Sequence, residues 1–455
     1  MKSVIDRSKQ IDEKLKLLFD VYTKTKEPLK INFRQEVEWL KSADRYTHLM
    51  HVYPAKLLGH IPHFFLNNSV LSKPGDIVAD PFCGSGTVPL EALISGRQAL
   101  GFDCNPLARL IAQVKVTPLD IHRINRVHGN IVKRLQKVEL HIPSVVNLDY
   151  WYSPEHITQL GLLKSAIDAV SDLDVRNFFL VCFSVAARKL SYADPHISVP
   201  VRWNPDKENV SGSYRAMAAE HFEWLKKTQA IDVFNLIVSA NSRRLAQLNE
   251  VLHEKVGGRI YLSDARELKT RDEGVERKLK KNSVQLIITS PPYAGAQKYV
   301  RSASLSLGWL GFAGTGELRP LERQTIGREH YPKAEYLQLH KTFIDDADVV
   351  LNRIYQKNPL RAHIAANYLL EMEMACERMV EVLKPGGYLV LVIGNNQVCG
   401  EDFFANKYLR EIFVKLGLEL KLELVDDIHS RGLMTKRNKT ASLIACEWIL
   451  LFSKS

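Results

Sequence analysis

The sequence predicts an α/β protein whose parallel sheet is interrupted by a helical insertion. A strand–helix–strand unit lies at 76–103, and a second series of strands and helices begins near residue 259. Helical periodicities fill most of 121–254, where no strand pattern is found. Strands that alternate with helices are typical of parallel sheets, because each crossover helix returns the chain to the same edge.

The first unit consists of two short apolar strands that both end in an acid. Residues 76–80 form the first strand, which ends at Asp80 and is followed by a glycine turn. A helix that carries Val88, Leu90, Ala92, Leu93 and Ile94 closes at Gly96, and the second strand spans 98–103. The pattern therefore predicts one βαβ unit of about 30 residues.

The rest of the chain supplies the remaining strands. The pattern predicts strands at 259–262, 284–289, 388–393, 418–425 and 442–452, a charged helix near 270–280, and helices through Met372 and over 404–416. We expect an N-terminal helical segment at 1–50 and a sheet domain made of 51–120 and 255–455. The helical insertion at 121–254 separates the two halves of that domain, and 312–360 is a second, irregular insertion.

Composition excludes several classes of protein. The 455 residues are 45% hydrophobic and 25% charged, which is typical of globular chains and excludes disordered, collagen-like and coiled-coil proteins. The net charge of +11 is a mild bias towards a polyanionic partner such as nucleic acid. No apolar run approaches the length of about 18 residues that a membrane span needs, and the charged start does not resemble a signal peptide.

Cysteines and histidines do not predict a metal site or a disulfide framework. The six cysteines lie far apart and none forms a C-x-x-C pair. Four histidines (His48, His51, His60 and His63) lie close in sequence. No helix pattern makes them converge, and no carboxylate joins them with the spacing of metal ligands. We therefore expect a reduced cytoplasmic protein without a bound metal.

The glycine turn at Asp80–Thr87 is the first candidate binding site. It lacks the G-K-[ST] of a phosphate loop, and Pro89 stands where a dinucleotide fingerprint has its third glycine. Asp80 suits a cation, Asp103 could accept hydrogen bonds from two ribose hydroxyls, and Asp264 could accept one from an adenine amino group. Acids at successive strand ends fit a positively charged nucleoside such as S-adenosylmethionine. Alternatively, the glycines only make a tight turn and the acids only cap helices.

The second candidate site is Ser290-Pro291-Pro292-Tyr293, directly after the strand at 284–289. Two prolines fix the backbone and leave the carbonyls of Ser290 and Pro291 free to accept hydrogen bonds. Acceptors for both hydrogens of an exocyclic base amine would make its nitrogen lone pair available for attack on a methylsulfonium. Tyr293 offers a face on which a base taken out of the duplex could stack. In isolation, Pro-Pro-Tyr could also be a rigid turn or a WW-module ligand.

Together, the two segments resemble the DNA amino-methyltransferases that modify cytosine N4 or adenine N6. The resemblance covers roughly 45–120 and 258–455 and keeps the order of cofactor segment first and catalytic segment second. It implies a seven-stranded Rossmann-like sheet with a helical insertion, S-adenosylmethionine as methyl donor, and a flipped base. The stretch His51–Lys56 resembles the family's N-terminal cofactor-pocket segment. The implied catalytic residues are Ser290, Pro291, Pro292 and Tyr293, and the implied cofactor-binding residues are Tyr53, Lys56, Asp80, Pro81, Phe82, Gly84, Gly86, Thr87, Asp103 and Asp264.

The serine form of the tetrapeptide favours cytosine N4 in double-stranded DNA, as in restriction-modification with a cognate endonuclease, and association with the nucleoid. Methylation of adenine N6 or of an RNA base amine, or a silent nucleic-acid-binding protein, are the alternatives. The large block interrupts the cofactor half, unlike the usual arrangement, so 121–254 and 312–360 become candidate target-recognition regions. Their aromatic and basic clusters, Tyr150–Tyr152 and Arg188–Tyr192, and the basic residues Arg328 and Arg431–Lys439, could contact DNA or could be core and surface residues.

Overall fold

The computed structural model describes residues 2–54, 56–208, 210–253, 256–294, 299–427 and 446–455. The strands of this part of the chain are β1 (Leu29–Ile31), β2 (Ile77–Asp80), β3 (Gln98–Asp103), β4 (Gly258–Leu262), β5 (Lys269–Asp272), β6 (Val275–Lys278), β7 (Val284–Thr289), β8 (Leu383–Ile393), β9 (Asn396–Val398), β10 (Glu401–Phe403), β11 (Leu418–Asp427) and β12 (Cys446–Lys454).

The helices up to β4 are α1 (Lys2–Thr25), α2 (Phe33–Glu36), α3 (His60–Leu66), α4 (Thr87–Ile94), α5 (Pro106–Val116), α6 (Ile121–Arg134), α7 (Leu148–Trp151), α8 (Pro154–Asp168), α9 (Leu173–Lys189), α10 (Gly212–Lys227) and α11 (Ala230–Asn249). The later helices are α12 (Tyr299–Ser302), α13 (Ser304–Trp309), α14 (Leu318–Arg323), α15 (Asp345–Lys357), α16 (Pro359–Val382) and α17 (Ala405–Lys415), and 3-10 turns span Tyr46–Leu49 and Lys333–Tyr336.

Eight strands form the main sheet, in the order β1-β11-β12-β8-β7-β2-β3-β4. The pairs are parallel except those that β12 makes with β11 and β8, so β12 alone runs against the others. The seven strands that the Rossmann-like expectation requires are all present, which confirms the predicted fold class, and β1 adds an eighth at the edge. Residues 442–445 of the last expected strand lie outside the described residues.

Both faces of the sheet are buried, as the apolar strands predict. Along β7, Leu286 and Ile288 enter one core with α4, α5 and the helices of the insertion. Ile287 points to the opposite face and enters a second core with α15, α16 and α17. The alternation follows from the two-residue period of a strand, so helices cover both faces of the sheet.

Two local predictions were wrong. The charged stretch near 270–280 is a hairpin of β5 and β6, because Glu273 and Gly274 both adopt positive φ (50° and 84°), as a two-residue hairpin turn requires. The N-terminal segment is not helical throughout either. Pro28 prevents α1 from continuing, and Leu29–Ile31 then pairs in parallel with β11.

The insertion is made of α6 to α11 and lies between β3 and β4 in the chain. These two strands are nevertheless paired with each other in the sheet. Ser184 on α9 lies where the insertion meets the sheet domain. Its Oγ donates to Ser306 Oγ at 2.9 Å and lies 3.0 Å from His51 Nε2. Among the described residues, no helix combines the length and the apolar composition that crossing a membrane would require.

Candidate active site

A cleft at the carboxyl edge of the sheet brings most of the predicted site residues together. Strands β2, β3, β4 and β7 are parallel, so they all end at this edge. The cleft opens at this edge, where ligands of open parallel sheets bind. The predicted residues that line it are Tyr53, Lys56, Asp80, Pro81, Phe82, Gly84, Thr87, Asp103, Asp264, Ser290 and Pro292. Gly86, Pro291 and Tyr293 are not among its lining residues.

The two glycines of the turn have different roles. Gly84 (φ +48°) lines the cleft opposite the Tyr53 ring, which a Cβ on Gly84 would meet at 3.6 Å. Gly86 (φ +80°) packs away from the cleft, since a Cβ there would lie 2.8 Å from the Cβ of Ala112 on α5. Gly86 therefore allows α4 and α5 to pack closely behind the cleft, and Gly84 keeps the cleft open.

Gly86→Ala is expected to lower the free energy of unfolding by roughly 2–3 kcal/mol, because it combines left-handed strain with overpacking. Gly75→Ala is the matched control. Gly75 has a φ of +90°, but a Cβ added to it would meet no atom within 4 Å, so only the strain of about 1–2 kcal/mol remains. Denaturant unfolding measures both variants, and equal losses would show that the contact with Ala112 is unimportant.

Asp103 is held rigidly at the end of β3. Its Oδ2 accepts from the backbone N–H of Gly84 at 2.9 Å, and its Oδ1 accepts from that of Asn105 at 2.8 Å. Burial raises the pKa of Asp103 to about 6, although both hydrogen bonds act in the opposite direction. Each carboxyl oxygen keeps one further lone pair with which to bind a ligand.

Asp80 links the glycine turn to the strand that precedes the serine–proline segment. Its Oδ1 accepts from Thr289 Oγ1 at 2.6 Å and from the backbone N–H of Phe82 at 3.1 Å. Burial raises the pKa of Asp80 to about 7, against the effect of these bonds. A cation in the cleft would favour the ionised form, because an opposite charge stabilises a carboxylate.

Asp264 lines the cleft beyond the end of β4, where it forms an ion pair with Arg266. Asp264 Oδ1 accepts from the backbone N–H of Arg266 at 2.8 Å and from its Nε at 2.9 Å, while Oδ2 contacts Nη2. The carboxylate is thereby fixed in orientation.

The serine–proline segment reaches the cleft with only part of its length. Ser290 and Pro292 line the cleft, whereas Pro291 is buried. The Tyr293 hydroxyl donates to Glu447 Oε1 at 3.1 Å, on the side of β12. The side chain of Tyr293 thus lies on the other side of the segment from the cleft.

A second cavity lies on that other side, between the segments 34–44 and 56–60 and the adjacent ends of β11 and β12. Asp426, Asp427 and Glu447 form an acidic wall, and Lys56 lines both cavities. Burial raises the pKa of Asp426 to about 7, and the charge of Glu447 acts in the same direction. Glu447, which accepts from the Tyr293 hydroxyl, links the predicted catalytic segment to the wall of this second cavity.

A buried carboxylate, Glu91 on α4, holds the segment that carries Tyr53 and Lys56. Glu91 is fully buried, accepts from Arg45 Nη2 at 2.9 Å, and lies 2.8 Å from His48 Nε2 and 3.1 Å from His63 Nδ1. Burial lowers the pKa of His48 to about 4, so this ring is neutral and donates.

Two of the four histidines thus do converge on a carboxylate, contrary to the expectation from sequence. Burial opposes ionisation of Glu91, but the bonds from His48 and His63 and the charge of Arg45 hold its pKa well below the usual range. The group is an ion-pair cluster that fastens residues 45–63 to α4 beside the glycine turn.

Sequence reasoning missed several lining residues. Asn105 follows Asp103 and caps α5, which is a local signal that could have identified it. Gln324, Thr325 and Ile326 come from the second insertion and cover one side of the cleft. No local pattern marks them, because tertiary contacts alone bring them there.

The aromatic and basic clusters of the helical insertion meet each other. Tyr152 is buried against Trp309, with ring centroids 5.6 Å apart, so it is a core residue. Tyr150 is half exposed, and the Arg202 guanidinium lies 4.8 Å from its ring and 4.7 Å from that of Tyr192. The basic stretch Arg431–Lys439 lies outside the described residues.

Comparisons with known proteins find methyltransferases. A family model described as DNA methylase, of the N6/N4 methyltransferase type, matches residues 10–113. The Type II methyltransferase M.MvaI of Kocuria varians is 22% identical over 416 residues, which cover 87% of this chain and 87% of that protein. The Type II methyltransferase M.BsoBI of Geobacillus stearothermophilus is 21% identical over 76% of this chain and 74% of its own length.

Among solved structures, a SAM-dependent methyltransferase from Methanosarcina mazei aligns with 89% of this chain and 98% of its own, at 11% identity. The TM-score is 0.29, too low for the alignment to establish a common structure.

Proposed function

The chain belongs to the DNA amino-methyltransferase family, and from this premise we propose that it transfers a methyl group from S-adenosylmethionine to the N4 amine of a cytosine in duplex DNA. The observation that carries the proposal is the single cleft lined both by the glycine turn with its acids and by Ser290 and Pro292. Two sites that face one cleft can pass a small group directly between their ligands.

The cofactor cleft fits a cationic nucleoside because three carboxylates, Asp80, Asp103 and Asp264, line it. Asp103 would bind the ribose hydroxyls, Asp264 the adenine amino group, and Tyr53 and Lys56 would surround the methionine end. Gly84 leaves room against the Tyr53 ring where any side chain would narrow the cleft. When bound, S-adenosylmethionine supplies its methyl group as an electrophile on a positively charged sulfur.

The serine–proline segment activates the amine. The Ser290 side chain and the Pro291 carbonyl would accept its two hydrogens, so that the nitrogen lone pair is no longer shared with the ring. This lone pair then forms the new N–C bond in line with the departing sulfur, and the surplus proton leaves to solvent. The Pro-Cys nucleophile of carbon-5 methylases is absent from the sequence, and no covalent enzyme intermediate is required.

The acceptor base is proposed to be flipped out of the duplex and to stack on Tyr293, with its amine directed towards the cleft. Ser290, in place of an aspartate, favours cytosine over adenine. The two Type II relatives support a role in restriction-modification with a cognate endonuclease. The helical insertion, where Tyr150, Tyr192 and Arg202 form a partly exposed cluster, is the proposed target-recognition region together with 312–360.

The test is transfer of labelled methyl from S-adenosylmethionine to DNA or RNA, followed by hydrolysis to nucleosides and identification of the product. N4-methylcytosine in DNA is expected. N6-methyladenine would overturn the base assignment, and methylation of RNA alone would overturn the substrate. No transfer to either would favour a nucleic-acid-binding protein without activity.

Cofactor binding is expected to depend on pH through Asp103. Its pKa of about 6 in the free protein means that binding a cation below this pH must release a proton, so affinity should rise about tenfold per pH unit up to pH 6. The sign for stability is opposite: the folded state keeps a proton that the unfolded chain loses near pH 4, so the contribution of Asp103 falls as pH rises towards 6. Calorimetry between pH 5 and 7 checks this. Asp103→Asn should remove the share of the slope that Asp103 contributes below pH 6, whereas the share of Asp80, whose pKa is about 7, should remain. An unchanged slope in that variant would contradict the assignment.

A further inference from the structure

One carboxylate, Glu371 on α16, joins two parts of the candidate active site that are distant in sequence. The residue is only 7% exposed, although it lies outside the cleft. Glu371 Oε1 accepts from Arg266 Nη1 at 3.0 Å and also contacts Arg328 Nη1. Hydrogen bonds between ionised groups are among the strongest that proteins form, so this arrangement holds both arginines.

The first arginine connects Glu371 to the acid at the end of β4. Arg266 uses Nε and Nη2 for Asp264 and Nη1 for Glu371. Its Nη2 also donates to the carbonyl of Gln324 at 3.0 Å. A planar guanidinium with three of its edges occupied has little freedom to rotate, and therefore it fixes the direction of the Asp264 carboxylate.

The second arginine connects Glu371 to the segment that covers the cleft. Residues Gln324–Ile326 line the cleft, and Arg328 follows them after Gly327. Gly327 packs so closely that a Cβ there would lie 3.6 Å from the Tyr293 carbonyl and 4.0 Å from Pro292 Cβ. The guanidinium of Arg328 also lies 4.5 Å from the Tyr331 ring centre. The covering segment thus lies beside the serine–proline segment, and both line the cleft.

We propose that Glu371 is a positioning residue for adenine recognition: through Arg266 it orients Asp264 towards the purine amino group, and through Arg328 it holds Gln324–Ile326 over the same end of the cleft. The inference rests on the proposed function, because it takes the occupant of the cleft to be an adenosyl cofactor. Glu371 itself would touch no ligand, but it would control how selectively Asp264 recognises the purine.

Removing the charge of Glu371 changes both links. Without it, the guanidinium groups of Arg266 and Arg328 lie close together with no negative charge between them, and their repulsion moves both. Asp264 then turns with Arg266 and no longer faces the purine. The affinity lost should therefore depend on the purine amino group rather than on the ligand as a whole.

The experiment measures binding of S-adenosylhomocysteine and S-inosylhomocysteine by calorimetry. The second ligand carries a carbonyl oxygen in place of the purine amino group, so it lacks the donor that Asp264 is proposed to bind. The wild type should prefer the adenosyl ligand by about 10–100-fold, the range expected for a hydrogen bond to a charged group. Glu371→Gln should reduce this preference about tenfold, mainly by lowering the affinity for the adenosyl ligand.

Glu329→Gln is the matched control. Glu329 pairs with Arg361 Nη1 at 3.1 Å and so makes another ion pair between the covering segment and α16, but not to Arg266. It should keep the preference for adenosine. Arg266→Gln breaks the bond between Arg266 and Glu371 at a more accessible residue. It should reproduce the effect of Glu371→Gln. Circular dichroism checks that each variant is folded.

The outcomes separate this inference from the proposed function. If Glu371→Gln weakens both ligands equally, or if Glu329→Gln removes the preference as well, Glu371 has only a structural role and the inference is wrong. The inference alone also fails if folded Glu371→Gln and Arg266→Gln both keep the wild-type preference. Absence of S-adenosylhomocysteine binding in the wild type would overturn the proposed function first.

Discussion

Tyr293→Ala is expected to lower kcat about 100-fold, because a base stacked on an aromatic ring gains up to about 3 kcal/mol. The Kd for S-adenosylmethionine should stay within about twofold, since Tyr293 is not among the residues that line the cofactor cleft. Single-turnover methylation and calorimetry measure the two quantities on the same preparation. A variant that keeps cofactor and loses turnover would place the ring on the acceptor side.

Tyr293→Phe is the control for that substitution. It keeps the ring face but removes the hydroxyl that donates to Glu447 at 3.1 Å. Turnover in Tyr293→Phe should therefore stay much closer to that of the wild type than turnover in Tyr293→Ala. Equal loss of turnover and of cofactor binding in Tyr293→Ala would place Tyr293 outside the base pocket.

Glu91→Gln is expected to lower the free energy of unfolding by about 3–5 kcal/mol, the usual cost of removing one member of a buried ion pair. Glutamine has nearly the volume of glutamate, so the loss reports charge rather than a cavity. Arg45 would be left without its buried counter-charge, and the segment carrying Tyr53 would loosen. Cofactor binding should therefore weaken at temperatures where the sheet is still folded.

The comparison for Glu91→Gln is Glu223→Gln, on the exposed face of α10. Glu223 pairs with Lys226 at 2.6 Å, but in full contact with solvent, and such pairs contribute little to stability. Guanidinium unfolding should show no measurable change for Glu223→Gln. A similarly small change for Glu91→Gln would mean that the histidines and Arg45 find other partners.

The strand framework could be predicted from sequence because its signals are local. Strands 98–103 and 284–289 are rich in apolar residues, as buried parallel strands are, and the observed bounds agree with the prediction. The acids at the ends of β2 and β3 could be placed at one edge because parallel strands share an edge. The hairpin at 269–278 was missed because its exposed strands are too polar to show a period of two.

Only part of the candidate site could be predicted from the sequence in the same way. The glycine pattern did not distinguish Gly84, which faces the cleft, from Gly86, which faces α5, since the difference depends on where Ala112 packs. Glu91 did carry a signal, as a single acid in the otherwise apolar helix 87–94. The segment Gln324–Ile326 carried none, because its position depends on ion pairs with α16 that are distant in sequence.

The contact between the insertion and the sheet has a consequence for how the molecule can be dissected. Phe183 of α9 and Trp309 of α13 lie in the same continuous core as β2 and β7, with ring centroids 5.9 Å apart. Excision of the insertion would uncover this aromatic surface in the remaining fragment, which would then aggregate. Limited proteolysis should therefore yield nicked chains that stay together rather than two separable pieces, and heating should give one cooperative melting transition.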